Sequence, residues 1–367
     1  MKIAYIGLRG VPATYSGIEL AVEELGSRIA ARGHDVTVYC MEHWYKEKLA
    51  TYKGMQLQYV KTYPSKNLEM ILYAFSSTIR AIAKDFDIFH FHGIGPATMA
   101  LMPWACRKKT IVTVHALDWR NEKWSLPART YLRLGEYMAA RFPEKTIVVS
   151  KYLKKYYQDN YGKFTDYIPN GVDIKSVEED MSIFDKLGIK KNKYIIFVGR
   201  LTRAKNVHVL IEAFLKVNTD KKLCIVGGEK DITLDELRSY AQSDSRILFA
   251  GPIYGDDVVR LLQNCYLYVL PSVLEGLPVS VMEAMAYGST VLVSDIAENL
   301  EVITDDGNCY GLTFHVGDVN DLQQALQQLV DDRALVDRFR VGASQFVKDR
   351  YNWDRIADET LSLYQEI

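Results

Sequence analysis

Long apolar runs are missing from this chain of 367 residues. No stretch approaches the length of a membrane-spanning helix. The opening M-K-I-A-Y-I-G-L-R-G has only a short apolar run that ends in glycine and arginine, which suits a first β-strand and not a secretory leader. Cysteine is sparse as well. Cys40, Cys106, Cys224, Cys265 and Cys309 are scattered, odd in number and free of any C-x-x-C pair, which argues against a disulfide framework or a zinc site. A reducing, cytoplasmic setting is therefore expected, at most at the inner face of a membrane. Zinc-finger, basic-heptad and aromatic RNA-binding signatures are also lacking, so no nucleic-acid partner is expected.

What is present is a globular composition, 48% apolar and 25% charged, on a chain too long for one ordinary core. Two domains follow as the expectation. The net charge of −1 hides a division. Residues 1–170 carry 24 Lys and Arg against 15 Asp and Glu, and the remainder carries 21 against 31. Such an asymmetry points the first half toward something anionic, either a membrane surface or a phosphorylated acceptor.

Short β-branched runs alternate with amphipathic stretches throughout. K-I-A-Y-I-G, D-V-T-V-Y-C, D-I-F-H-F-H, T-I-V-T-V-H and T-I-V-V-S read as strands, with helices over 18–32 and 67–84 between them. After I-P-N-G-V-D (168–173) the pattern restarts with Y-I-I-F-V-G, K-L-C-I-V-G-G, R-I-L-F-A-G, L-Y-V-L-P-S and T-V-L-V-S-D. Runs buried on both faces and joined through helices imply parallel sheets with right-handed crossovers. The expected fold class is α/β: two doubly wound Rossmann-like domains facing across a cleft. The boundaries are 1–170 for an acceptor-binding domain, 171–350 for a donor-binding domain, and 351–367 for a terminal helix packing toward the first domain.

Ligands of such sheets bind at the carboxyl ends of the strands, so the residues there deserve the closest reading. G-L-R-G-V-P-A-T-Y-S-G-I-E matches neither the dinucleotide nor the P-loop pattern. Its glycines at 7, 10 and 17 permit close backbone approach, and a helix opening near Gly17 offers an anion site, though tight turning alone also explains them. In V-G-R-L-T-R-A-K-N-V, Arg200 and Lys205 follow a buried strand, a fork and a point charge suited to a diphosphate.

E-G-L-P-V-S-V-M-E places Glu275 and Glu283 eight positions apart. Pro278 favours a helix start there, leaving Glu275 in the loop and Glu283 in the second turn. Glu275 then suits sugar hydroxyls and Glu283 a ribose, with helix amides available to phosphate. His115 ends one strand, with Asp118 just beyond, and is either structural or a cleft residue. His90 and His92 point to one face and read as a polar sheet end. Asp85-Phe86-Asp87 precedes a strand, away from the ligand edge, and reads as a cap. No metal site is expected.

Together, V-G-R-L-T-R-A-K-N, I-V-G-G, F-A-G-P-I-Y and P-S-V-L-E-G-L-P-V-S-V-M-E-A-M-A-Y-G resemble the retaining family-4 glycosyltransferases of the GT-B fold, over nearly the whole chain. The first loop is similar to a subgroup that contains bacterial polysaccharide rhamnosyltransferases. The resemblance implies a UDP- or dTDP-sugar donor in the second domain. Arg200 and Lys205 would meet the diphosphate, Glu283 the ribose and Glu275 the sugar. The backbone at Ile253 would meet the base, and Leu277 and Val279 would line the sugar and phosphate pocket.

It further implies that Gly17 lies near the distal phosphate and His115 near the reacting carbon. Ser16-Gly17 stands where many relatives have Gly-Gly, and Glu301 lies in E-N-L-E where a Pro-Glu pair is common. No cofactor or divalent ion is expected, since the two cations can do a metal's work. The acceptor would be a glycan or a lipid-linked hydroxyl in surface polysaccharide or glycolipid assembly, with peripheral membrane contact through the first domain and K-Y-L-K-K-Y-Y (151–157). Two alternatives stand beside transfer: a nucleotide-sugar epimerase of the same fold, and a non-catalytic nucleotide-sugar-binding protein.

Overall fold

The computed structural model describes every residue except 14–16, 64, 66–67 and 306. Its contacts form two units. The first is Met1–Gly171 with Trp353–Ile367, and the second is Val172–Asn352.

In the first unit eight strands form one sheet: β1 (Lys2–Ile6), β2 (Asp35–Met41), β3 (Thr51–Tyr52), β4 (Met55–Val60), β5 (Ile88–His92), β6 (Lys109–Val114), β7 (Lys145–Val148) and β8 (Asp166–Tyr167). Their order is β3-β4-β2-β1-β5-β6-β7-β8. All neighbours are parallel except the β3–β4 hairpin. Its two-residue loop has positive φ at both Lys53 (46°) and Gly54 (80°), the backbone that a primed hairpin turn demands. Central strands such as β1 and β5 are buried along almost their whole length, which is why they are continuous apolar runs and not alternating ones.

Helices cover both faces of this sheet. They are α1 (Gly17–Ala31), α2 (Glu69–Ile82), α3 (Ile94–Ala97), α4 (Leu101–Ala105), α5 (Leu126–Arg141) and α6 (Lys151–Tyr161), joined by the terminal helix Trp353–Gln365. That terminal helix packs on α1, while α3 packs against both α2 and α5. Hydrogen bonds and charges fix it. Tyr364 Oη lies 2.6 Å from His90 Nδ1 and 3.1 Å from Tyr5 Oη in the core. At the surface Arg32 binds Asp358 at 2.6 Å and Lys145 binds Glu366 at 2.6 Å. Gly171 leaves room for Trp353, since a Cβ there would stand 2.6 Å from the indole.

The second unit holds a six-stranded parallel sheet of order β11-β10-β9-β12-β13-β16. Its strands are β9 (Tyr194–Val198), β10 (Lys222–Val226), β11 (Ile247–Gly251), β12 (Leu267–Leu270), β13 (Val291–Ser294) and β16 (Gly311–Phe314). A small antiparallel pair, β14 (Thr304–Asp305) with β15 (Asn308–Cys309), lies apart from it. Both units are thus Rossmann-like α/β layers, each with the strand order reversing beside its first strand, β1 or β9.

Asp85 and Asp87 lie at the opposite edge from the ligand ends. The Lys2 N–H donates to Asp87 Oδ2 at 2.7 Å, and the Lys2 ammonium stands 3.9 Å from Asp85, so the pair caps the start of β1.

Tyr364→Phe is expected to leave His90 Nδ1 and the Tyr5 hydroxyl without that partner. A loss of about 1–3 kcal/mol from the first unit should result, read as a lower urea midpoint.

Candidate functional site

In the second unit the strand order reverses between β9 and β12, the place where open α/β sheets hold ligands. Gly199 and Arg200 follow β9 directly, and Gly199 presses on the neighbouring loop. A Cβ on Gly227 would lie 1.9 Å from the Gly199 carbonyl oxygen, so only glycine allows that approach. The chain then makes a short 3-10 turn, Arg203–Lys205, which the Val273 N–H ties to the loop after β12 through the Ala204 carbonyl at 2.9 Å. As a result two predicted site residues meet: Lys205 Nζ lies 2.6 Å from Glu275 Oε1. Their side chains are only 21% and 11% exposed, so solvent screens the pair weakly. Arg200, by contrast, is exposed and has no ion-pair partner among the described residues.

The helix after Glu275 runs over Val279–Ala286, and Pro278 shapes its mouth. With φ −77° and ψ 81°, Pro278 forms an inverse γ-turn in which the Val279 N–H donates to the Leu277 carbonyl at 2.9 Å. The Val279 amide is therefore already engaged within the turn. Among the described residues the N–H groups of Gly276, Leu277 and Ser280 have no such acceptor, and they are the donors this mouth offers an anion. Glu283 lies one turn deeper, with its carboxyl pushed up to about 7 by burial, against a smaller opposing pull from Lys175. Ile253 is partly exposed after β11, at the sheet edge two strands from β9. Glu301 is buried on the helix Ala297–Ile303, beyond β13.

The first unit gathers its histidines at the ends of β5 and β6. His90 stacks on His92 with ring centroids 4.2 Å apart, and His92 Nδ1 lies 3.3 Å from His115 Nε2. His90 is also 2.7 Å from the Thr113 hydroxyl. Burial holds His90 down to about 3 and His115 to about 4, with His92 lowered too, so the row is neutral at ordinary pH. Stability tied to these neutral rings is complete above about pH 6.5 and declines as acid protonates them in the unfolded chain first. His92, His115 and Asn170 line a cavity of about 20 Å³ together with Trp353, enough for about one water. The part of Trp353 and Asn170 in this wall is not visible from local sequence.

Known proteins are similar over the whole length. The family model described as glycosyl transferases group 1 matches residues 180–359, and that of glycosyltransferase family 4 matches residues 15–176. An uncharacterized glycosyltransferase of Methanocaldococcus jannaschii is 23% identical over 100% of this chain and 98% of its own. The N,N'-diacetylbacillosaminyl-diphospho-undecaprenol alpha-1,3-N-acetylgalactosaminyltransferase of Campylobacter jejuni is 31% identical over 53% of this chain and 50% of its own. Among solved structures, sucrose-phosphate synthase from Thermosynechococcus elongatus superposes with a TM-score of 0.83 at 22% identity, over 100% of this chain and 98% of that one. Anabaena HepE, solved in complex with UDP and glucose, gives 0.82 at 19% identity over 100% of both chains. The two models together span most of this chain, and by them it is a glycosyltransferase of group 1 and family 4.

In this glycosyltransferase the first loop is richer in acid than its glycines suggest. Gly17 opens α1 and is exposed, and a Cβ there would meet nothing within 4 Å. Ser16, its neighbour, lies outside the described residues. Glu19 in the first helical turn is buried 3.8 Å from Arg9, and Glu23 Oε2 accepts the Ala13 N–H at 2.6 Å. These carboxylates compete with any ligand phosphate for the positive end of α1.

The glycosyltransferase also spends the aromatics of K-Y-L-K-K-Y-Y internally. Glu136 on α5 is buried and accepts from Tyr156 at 2.8 Å, Tyr161 at 2.6 Å and the Trp119 indole. Tyr157 is fully buried, and Lys155 pairs with Asp159.

Glu283→Gln tests the helix mouth. A carboxyl raised to about 7 binds a proton in the folded state that the unfolded chain, near 4.5, has released. Its contribution is complete below pH 4.5 and is lost as pH rises through 7. The amide is therefore expected to stabilise the empty protein by about 1–3 kcal/mol at pH 8 and to match wild type near pH 4.5, as followed by thermal unfolding.

Proposed function

We propose that this glycosyltransferase moves a hexose-type sugar from a UDP- or dTDP-linked donor to a hydroxyl acceptor with retention of anomeric configuration, in cell-surface polysaccharide or glycolipid assembly. The observation that carries the reading is the Lys205–Glu275 pair at the switch point of the second sheet, with Arg200 beside it and Glu283 at the next helix. HepE, solved with UDP and with UDP-glucose, supports a uridine nucleotide donor. The Campylobacter transferase supports a lipid-linked acceptor.

The chemistry needs two things of the donor site. As the bond from the sugar carbon to the phosphate oxygen breaks, negative charge grows on the leaving group, and Arg200, Lys205 and the amides of Gly276, Leu277 and Ser280 stabilise it without reorganising. As the new bond to the acceptor oxygen forms on the same face, the hydroxyl proton passes to the departing phosphate. Glu275 holds sugar hydroxyls while sharing Lys205, and Glu283, ionised, accepts from the ribose. Gly17 lets the first loop come near the distal phosphate, the backbone at Ile253 meets the base, and Leu277 and Val279 shape the sugar pocket. The first unit takes the acceptor, glycan or lipid-linked, with His115 at its strand end. Its basic half makes peripheral contact with an anionic membrane.

Lys205→Ala and Glu275→Ala are each expected to cut transfer at least about tenfold with the circular dichroism spectrum unchanged. A panel of nucleotide sugars in a thermal-shift assay identifies the donor, because a tight ligand raises the unfolding temperature. Wild-type turnover in a folded variant would refute the assignment. Because Arg200 and Lys205 offset the diphosphate charge, a chelator is expected to leave the rate unchanged. Strong inhibition reversed by Mn²⁺ would overturn the metal-free mechanism.

A further inference from the structure

At the N-cap of α2 and along the helix, four large apolar side chains face solvent at helical spacing. Leu68, Leu72, Phe75 and Ile79 are each 44–54% exposed, while Tyr73, Ala74 and Ala81 on the opposite face are fully buried. Residues at these spacings form one continuous strip. Continuous apolar strips of this kind are uncommon on soluble surfaces and mark a place where something docks.

The strip has a neighbour of matching character. Since α3 packs against both α2 and α5, those helices follow one another over the same side of the first unit's sheet. On α5 Leu134 and Tyr137 are exposed, and Arg133 and Arg141 stand exposed on the same row. The one acid of α5 is Glu136, which is buried and hydrogen-bonded within the unit. On α2 Arg80 is exposed, and Glu69 is held by His43 at 2.8 Å. The face therefore offers apolar side chains and positive charge together, with its acids already engaged.

We propose that the outer face of α2 and α5 rests on a lipid bilayer that bears anionic headgroups, with the apolar strip in the interfacial region and the arginines on the headgroups. Amphipathic helices with cations beside a Leu and Phe strip partition into this region, and anionic lipid adds an electrostatic pull that salt screens. The proposal deepens the membrane contact put forward above by assigning it to a different surface. Residues 151–157 supply cations only, because Tyr156 and Tyr157 are turned inward. A lipid surface satisfies strip and charge at once, and it is the occupant that the charge of this face selects.

The full-length protein is to be floated with vesicles of phosphatidylcholine, with and without phosphatidylglycerol. Capture is expected on the phosphatidylglycerol vesicles and should weaken with salt. Leu72→Glu with Phe75→Glu, both at exposed positions, is expected to lower capture about tenfold or more while the thermal shift with UDP is kept. Arg133→Glu with Arg141→Glu should remove the preference for anionic lipid, and Lys154→Glu with Lys155→Glu should retain capture. Three results overturn the proposal: no capture of the wild type, equal capture of the Leu72 and Phe75 variant, or self-association of the wild type in sedimentation that this variant abolishes. The last would assign the strip to a second copy of the chain. Loss of the UDP shift in the wild type would instead count against the donor site and leave the lipid contact standing.

Discussion

The ion pair between Lys205 and Glu275 ties together the two loops that meet where the second sheet reverses its order. A cation in the short turn after β9 and a carboxylate after β12 hold each other at 2.6 Å with little water around them. Neither charge is stable there alone, since an unpaired charge with so little exposure loses its hydration without return. The close approach at Gly199 and Gly227, the bond from Val273 to Ala204 and the γ-turn at Pro278 all serve to bring these loops to that distance. In the donor-site reading, the same arrangement keeps a cation in place for a diphosphate while the protein is empty. Preorganisation of this sort matters because the fixed charge need not move when the leaving group becomes negative.

Glu283 works by a different balance. It has no fixed cation at hydrogen-bond distance among the described residues and lies where burial disfavours its charge. In the donor-site reading, the cost of ionising it is the cost of keeping an acceptor ready for hydroxyls. Stability and site chemistry oppose each other at that residue, as they often do where a group is kept for a ligand and not for the fold.

The fold was largely legible in the sequence because, the β3–β4 hairpin apart, both sheets are parallel and their central strands are buried on both faces. Each central strand must then be a short apolar run between turn signals, and β1, β2, β5, β6, β9, β10, β12 and β13 all are. The strands missed were of other kinds. β3 and β4 meet through Lys53-Gly54, which lacks the usual Asn-Gly or Asp-Gly signal, and β8 has two residues. β16 begins with Gly311, whose lack of a side chain is demanded by Val291 at 2.6 Å, a long-range reason that no local pattern reports.

At the site, residue types and loop positions were readable, since a cation after a buried strand and a proline at a helix mouth have local causes. Pairing was not. That Lys205 meets Glu275 and that Glu136 takes Tyr156 and Tyr161 both depend on contacts across the fold.

Trp353–Gln365, the terminal helix, belongs to the first unit although all of Val172–Asn352 lies between them in the chain. On the ribosome, the sheet from β1 to β8 is made long before Tyr364 arrives to meet His90 and Tyr5. Until then the face that receives this helix, with Val22, Leu25 and the buried histidines, has no cover. The second unit can close as soon as its own residues emerge, whereas the first must wait for the last turn of the chain. The half synthesised first is in this sense the half completed last, and its uncovered face is the part of the nascent protein most in need of protection from aggregation.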